Sequence, residues 1–155
     1  MEIALLAVGK LRPSLREACD DYLRRLSRYV RVREVEIREA ARAPTLTAQR
    51  RQEAERLRER LPAGAGLVAL AREGTALTSE ALAGQMERWQ LAGRPLALLL
   101  GGSRGLDPEL IAEAQMRWSL GPLTLPHELA RLVVLEQVYR AFTILRGEPY
   151  HKGAR

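Results

Sequence analysis

Several residue types are scarce in this chain of 155 residues, and each scarcity removes a class of function. A single cysteine, Cys19, rules out an internal disulfide and fits a reducing compartment. Two histidines, far apart at 127 and 151, and that lone thiol offer no ligand spacing for a structural or catalytic metal, so no metal is expected. The same scarcity gives no indication of a Ser-His-Asp or Cys-His arrangement. No apolar run reaches the ~18 residues of a membrane helix, so no membrane partner is expected. The opening MEIALLAVGK is too short for a secretion signal and lacks a basic segment, which leads us to expect a cytoplasmic protein. Lysine is nearly absent (Lys10 and Lys152 only), yet the net charge is +6, so the cations are almost all arginine. Arginine forks suit phosphates and stack on bases, which makes nucleic acid a plausible partner. GC-rich coding or a thermophile's ion pairs explain the same bias equally well, and the Arg/Glu mixture at 50–60 reads as a solvated helix face.

What is present reads as one domain over residues 1–155, alternating strands with helices. Apolar runs at 2–8, 67–71 and 95–100 predict buried strands. Residues 30–37, VRVREVEI, alternate apolar and charged, as a strand near a sheet edge would. Residues 116–120 add a short fifth strand. Helices are expected over 14–29, from Thr47 to about Leu61, from Thr78 to about Ala92, over 107–115 and over 127–146. Arg72–Thr75 reads as a turn, Asp107-Pro108-Glu109 as a helix start, and Cys19 falls on an apolar helix stripe. The pattern predicts an α/β fold with a mainly parallel sheet and helices on both faces.

Ligands of open parallel sheets bind beyond the carboxyl ends of the strands. Three such ends stand out, at Leu70-Ala71-Arg72, Leu100-Gly101-Gly102 and Leu120-Gly121-Pro122. Gly101-Gly102-Ser103-Arg104-Gly105 offers bare amides, but it is neither a strict G-x-G-x-x-G nor a P-loop. A ligand loop and a plain strand-to-helix turn both remain open. The stiff segment Gly121-Pro122-Leu123-Thr124-Leu125-Pro126 is either a wall for a flat adenine or a rigid connector. His127 reads as a helix-start residue without a task. Glu136 and Arg140 have ion-pair spacing on the last helix. That helix carries more apolar surface (Leu129, Leu132, Val133, Leu135, Val138, Tyr139, Phe142, Ile144) than one sheet face covers, which predicts a subunit interface. After Gly147 the tail sets Tyr150, His151 and Lys152 side by side.

LLAVGK at 5–10, GGSRGL at 101–106, SLGPLTLPHELAR at 119–131, EQVYRA at 136–141 and GEPYHK at 147–152 resemble the bacterial large-subunit ribosomal RNA pseudouridine N3-methyltransferase family, the minimal members of the SPOUT class. The resemblance spans the whole chain and is most specific in its C-terminal block. It implies a deep trefoil knot near the C-terminus, an exception to the rule that chains do not thread loops. It also implies S-adenosyl-L-methionine held in a bent form by the knot loops. Members work as homodimers whose partner subunit helps complete each site, on 23S ribosomal RNA in the assembled ribosome. Carried over by motif, the cofactor would sit against Leu70 and Gly102, with Gly121, Pro122, Leu123, Thr124, Leu125 and Pro126 closing around it. Arg140, Tyr150 and His151 would form the RNA and catalytic side. The serine and arginine of GGSRG, and Gly121-Pro122, depart from the usual residues in loops that act through their backbone.

The chemistry is consistent with that assignment. The imide nitrogen of the target base must lose a proton, so a base or a cation that stabilises the imidate has to stand near it. His151 is the base candidate, Arg140 or Lys152 the cation, and Tyr150 a platform for a flipped base. Two alternatives compete. A nucleotide-dependent oxidoreductase would place its glycine turn after the first strand. A non-catalytic RNA-binding ribosome-assembly protein would need no shaped pocket for a small molecule.

Overall fold

The apolar run EIALLAV becomes the centre of a sheet. In the computed structural model, which describes residues 1–150, strand β1 (Glu2–Val8) lies hydrogen-bonded to a parallel strand on each side. The other strands are β2 (Arg31–Ile37), β3 (Gly66–Ala76), β4 (Leu96–Leu100) and β5 (Met116–Ser119). Their order is β2-β1-β4-β3-β5, and every ladder is parallel. β2 sits at an edge, as its alternating charges predict.

Helices α1 (Pro13–Leu26), α3 (Ser79–Ala92) and α5 (His127–Leu145) cover one face; α2 (Leu46–Glu59) and α4 (Pro108–Glu113) cover the other. The period-2 geometry of a strand divides β1 between them. Ile3, Leu5 and Ala7 pack with Cys19, Met86, Val138 and Phe142, whereas Ala4, Leu6 and Val8 pack with Ala54, Leu57 and Leu110. A strand buried on both faces has no polar positions, which is why β1 and β4 read as continuous apolar runs.

Three expectations need correction. α1, expected over 14–29, spans Pro13–Leu26 and gives way to a turn before β2. α2 begins at Leu46, not Thr47, because Thr45 is extended and its hydroxyl accepts the Ala48 amide at 3.0 Å. Residues 72–75 are not a turn that ends the strand, since β3 continues to Ala76. Leu70 and Thr75 both pair with Trp118, so the residues between them bulge out of the ladder. Gly74 permits this, because a Cβ there would lie 2.6 Å from the Arg117 backbone. A glycine read as a breaker is a point of close approach. Asp107 occupies the N-cap position of α4 as expected, but its side chain makes no capping bond.

α5 lies between α1 and α3 on the sheet. Its Leu135, Val138 and Phe142 are buried in the core, and Leu129, Leu132, Val133, Tyr139 and Ile144 remain half-buried. No helix among the described residues is long and apolar enough to cross a membrane.

Candidate functional site

All five strands are parallel, so their carboxyl ends share one edge of the sheet. Where β3 and β5 end there, a cavity of about 140 Å³ opens, lined by Leu70, Ala71, Arg72, Trp118, Ser119, Leu120, Gly121, Leu123, Thr124, Leu125 and Ala130. Most of the lining is apolar. Arg72, Ser119 and Thr124 are its polar lining residues, and Ser119 shapes the loop: its hydroxyl, itself buried, accepts the Gly121 amide at 3.1 Å. Mostly apolar walls with a few polar residues among them suit a flat heteroaromatic ring.

Of the residues singled out in sequence, Leu70, Gly121, Leu123, Thr124 and Leu125 line this cavity; Gly102, Pro122 and Pro126 do not. Gly102 packs on Val8, and its turn closes through a Gly105 amide that donates to the Gly102 carbonyl at 3.1 Å. The turn is tight because residue 101 lacks a side chain: a Cβ there would lie 2.5 Å from the Gly105 carbonyl carbon. Its outer side is tied down. Arg50 Nε donates to the Arg104 carbonyl at 2.7 Å, and the Ser103 hydroxyl donates to Glu39 at 3.0 Å. Trp118 carries no motif of its own, and Ser119 and Ala130 lie in the SLGPLTLPHELAR block without having been singled out. Their individual signal is position, at a strand end and on the first turn of the helix that follows.

The tail residues gather elsewhere on α5. Arg140 Nε donates to Glu136 Oε1 at 3.0 Å, and the Tyr150 hydroxyl donates to the same oxygen at 3.1 Å. The Arg140 guanidinium lies 4.8 Å from the centre of the Tyr150 ring, and the Tyr22 hydroxyl lies 3.2 Å from that of Tyr150. Burial, with hydrogen bonds to Tyr22 and Glu136, pushes the Tyr150 phenol well above its ordinary range. His151 and Lys152 lie outside the described residues. Ala130 at the cavity and Arg140 are ten residues apart on one helix, or about 15 Å along its axis.

The start of α5 is occupied with structure. Glu128 accepts the Arg12 amide at 2.6 Å, satisfying a donor at the start of α1. His127 packs against Gly9, where a Cβ would approach its Nε2 to 3.4 Å. Arg131, 1% exposed, pairs with Glu36 at 2.7 Å and Glu34 at 3.5 Å, and donates to the Gly9 carbonyl at 3.0 Å. This buried charge on an apolar helix was invisible in the sequence, because its carboxylates sit on β2. Among the described residues, no group of three or more histidines, cysteines or acids is placed to hold a metal ion.

Comparison with known proteins sets these features in a family. The pattern described as "Predicted SPOUT methyltransferase" matches residues 1–151. A Sorangium cellulosum protein named Ribosomal RNA large subunit methyltransferase H is 46% identical over 154 residues, covering 97% of this chain and 99% of that protein. A Rubrobacter xylanophilus protein of the same name is 49% identical over 155 residues, covering 95% and 96%. Two solved structures share the fold: a probable methylase family protein from Haemophilus influenzae (TM-score 0.54, 11% identity, 96% of this chain and 69% of that one) and a probable methyltransferase from Bordetella pertussis (TM-score 0.52, 16% identity, 90% and 95%). With nearly its whole length matched at this level of identity, the chain belongs to the SPOUT methyltransferase family.

Proposed function

We propose that the chain is an S-adenosyl-L-methionine-dependent methyltransferase that modifies N3 of a pseudouridine in 23S ribosomal RNA. It acts in the cytoplasm as a homodimer on the assembled ribosome, and its C-terminal part is threaded as a deep trefoil knot. The observation that carries the reading is the small apolar cavity between Leu70 and the Gly121–Leu125 loop. Its apolar walls suit an adenine, and the backbone of the Gly121–Leu125 loop would meet the ring's polar edge. Leu70, Leu123, Thr124 and Leu125 would hold the cofactor, with the Gly102 turn at its flank. When bound, the sulfonium cofactor supplies an electrophilic methyl group.

The chain's own side chains have three tasks in this reaction. They bind the uridine-like ring, hold its nitrogen in line with the donor, and take its proton. Tyr150 offers an aromatic face, Arg140 a cation for the developing imidate oxygen, and His151 a base. The distance of about 15 Å along α5 between Ala130 and Arg140 favours a site completed by a second subunit. The half-buried apolar side chains of α5 would form that contact.

Three experiments test the reading. Calorimetry should show micromolar binding of S-adenosyl-L-methionine; no binding would favour a non-catalytic RNA-binding assembly protein. Large ribosomal subunits from a strain lacking the enzyme should gain one methyl group, located by mass spectrometry at N3 of a pseudouridine. The His151→Ala variant should bind the donor normally and lose most turnover. Full turnover in that variant would remove His151 from the mechanism.

A further inference from the structure

A second concavity, about 840 Å³, opens at the same edge of the sheet, beyond the ends of β1 and β2. Its lining includes Lys10, Arg38, Arg42 and Arg56, with Glu36 and Glu39 as the acids. Glu36 is already paired with Arg131, and Glu39 accepts from Ser103. Lys10, Arg38 and Arg42 are exposed and form no ion pair among the described residues. The cleft is therefore basic, and its cations are available.

It is also held in shape. Glu53, buried, accepts the Ala40 amide at 2.9 Å, and Arg56 donates to the Arg38 carbonyl at 2.7 Å. The Ser103–Glu39 bond joins the cleft to the glycine turn at the end of β4. With strands ~4.8 Å apart, the order β2-β1-β4-β3-β5 puts the middle of the cleft about 14 Å from the middle of the β3–β5 cavity, with the turn between them. A nucleic-acid strand presenting one base to a donor held in that cavity would carry phosphates a few nucleotides away over the cleft.

We infer that this cleft, through Lys10, Arg38 and Arg42, grips the sugar-phosphate backbone of the RNA substrate beside the methylated base. The inference rests on the proposed function. Phosphate contacts position a substrate without reading its sequence, and they make binding salt-dependent.

The test compares the full-length protein with two triple variants that remove the same charge. Lys10→Gln/Arg38→Gln/Arg42→Gln empties the cleft. Arg28→Gln/Arg31→Gln/Arg88→Gln removes three exposed cations away from the cleft. Arg56 is left intact because it tethers the Arg38 backbone. The probe is large ribosomal subunits from a strain lacking the enzyme. The cleft variant should raise KM for subunits at least tenfold and reduce the slope of log binding constant against log salt by about 2, since each lost contact to single-stranded RNA removes ~0.7. Its kcat and its affinity for S-adenosyl-L-methionine should stay within twofold of wild type, and the control variant should behave as wild type throughout. An unchanged KM in the cleft variant, or an equal rise in both variants, overturns the inference. If the wild-type protein itself transfers no methyl group to the subunits, the functional reading falls first.

Discussion

The Tyr150 hydroxyl and Glu136 Oε1 stand 3.1 Å apart, on the oxygen that also receives Arg140. One carboxylate thus orients both described members of the proposed catalytic set. Glu136→Gln keeps the shape and removes the charge that holds the guanidinium. The expected outcome is a fall in kcat on ribosomal subunits of at least tenfold, with donor affinity unchanged within twofold. Hydrogen bonds to a charged group contribute ~1.5–3 kcal/mol each, so positional control of this size is available from one carboxylate. Unchanged turnover would show that Arg140 and Tyr150 are placed by something else.

Ala130 lines the cavity from the first turn of α5 and is only half-buried. A larger side chain there can enter the cavity without displacing core atoms. Ala130→Phe is expected to weaken S-adenosyl-L-methionine binding at least tenfold by calorimetry, while the melting temperature moves by no more than about 4 °C, the shift that ~1 kcal/mol produces in a domain of this size. Normal binding in this variant would place the cofactor elsewhere.

Much of this fold was legible because local signals agreed with the tertiary structure. β1 and β4 are buried on both faces and read as apolar runs, and β2 lies at an edge and alternates. Legibility failed where contacts are long-range. Gly74 looked like a breaker because the Arg117 backbone that needs its missing Cβ is 43 positions away in sequence. Trp118 and Ala130 became cavity walls only when β5 came to lie beside β3 and the following loop folded back. Lys10, Arg38 and Arg42 are scattered among many other cations in the sequence, and the parallel register of β1 with β2 brings their strand ends together. The tail's cluster was suggested by the GEPYHK match, but its anchor Glu136, though part of the EQVYRA block, was singled out only as an i, i+4 partner of Arg140.

Arg131 joins α5 to β2 through Glu34 and Glu36, and Glu34 also pairs with Arg16 at 2.5 Å. Removing a fully buried cation leaves carboxylates without their partner, a loss of about 3–5 kcal/mol in comparable settings. Arg131→Met should therefore lower unfolding free energy by roughly 3 kcal/mol, the lower end applying because Arg16 still serves Glu34 and Glu36 is partly exposed. Adding Glu36→Gln to that variant should recover part of the loss, since Glu36 would otherwise keep only its longer contact with Arg16 at 3.5 Å. A double variant as unstable as the sum of the two singles would show that the pair is not coupled.

Cys19 is fully buried in the core, and burial pushes its thiol up to about 11, with Glu34 adding to the shift. The thiolate is the reactive form, so a buried thiol held protonated is inert at neutral pH. Ellman's reagent at pH 8 should find less than a tenth of a thiol per chain in the native protein within an hour, and one thiol after denaturation. Rapid labelling of the native protein would mean that α1 opens readily from the sheet.

Tyr29, in the turn between α1 and β2, is tied to the tail: its hydroxyl donates to Glu148 at 2.6 Å, and its ring stacks on Phe142 with centroids 5.7 Å apart. Burial, then the Glu148 hydrogen bond, pushes its phenol from the ordinary 10 up to about 12. The group is neutral when protonated, and its folded value is raised. Its stabilising contribution is therefore complete below pH 10 and fades as the pH rises toward about 12. Tyr29→Phe keeps the stacking and removes only the hydroxyl. Wild type should be the more stable of the two by about 1–2 kcal/mol at pH 7 to 9. The gap should shrink steadily between pH 10 and 12, as measured by urea unfolding of both proteins at each pH. A gap that stays constant to pH 12 would mean that the hydroxyl titrates alike in the folded and unfolded chains and that the Glu148 bond does not anchor the tail.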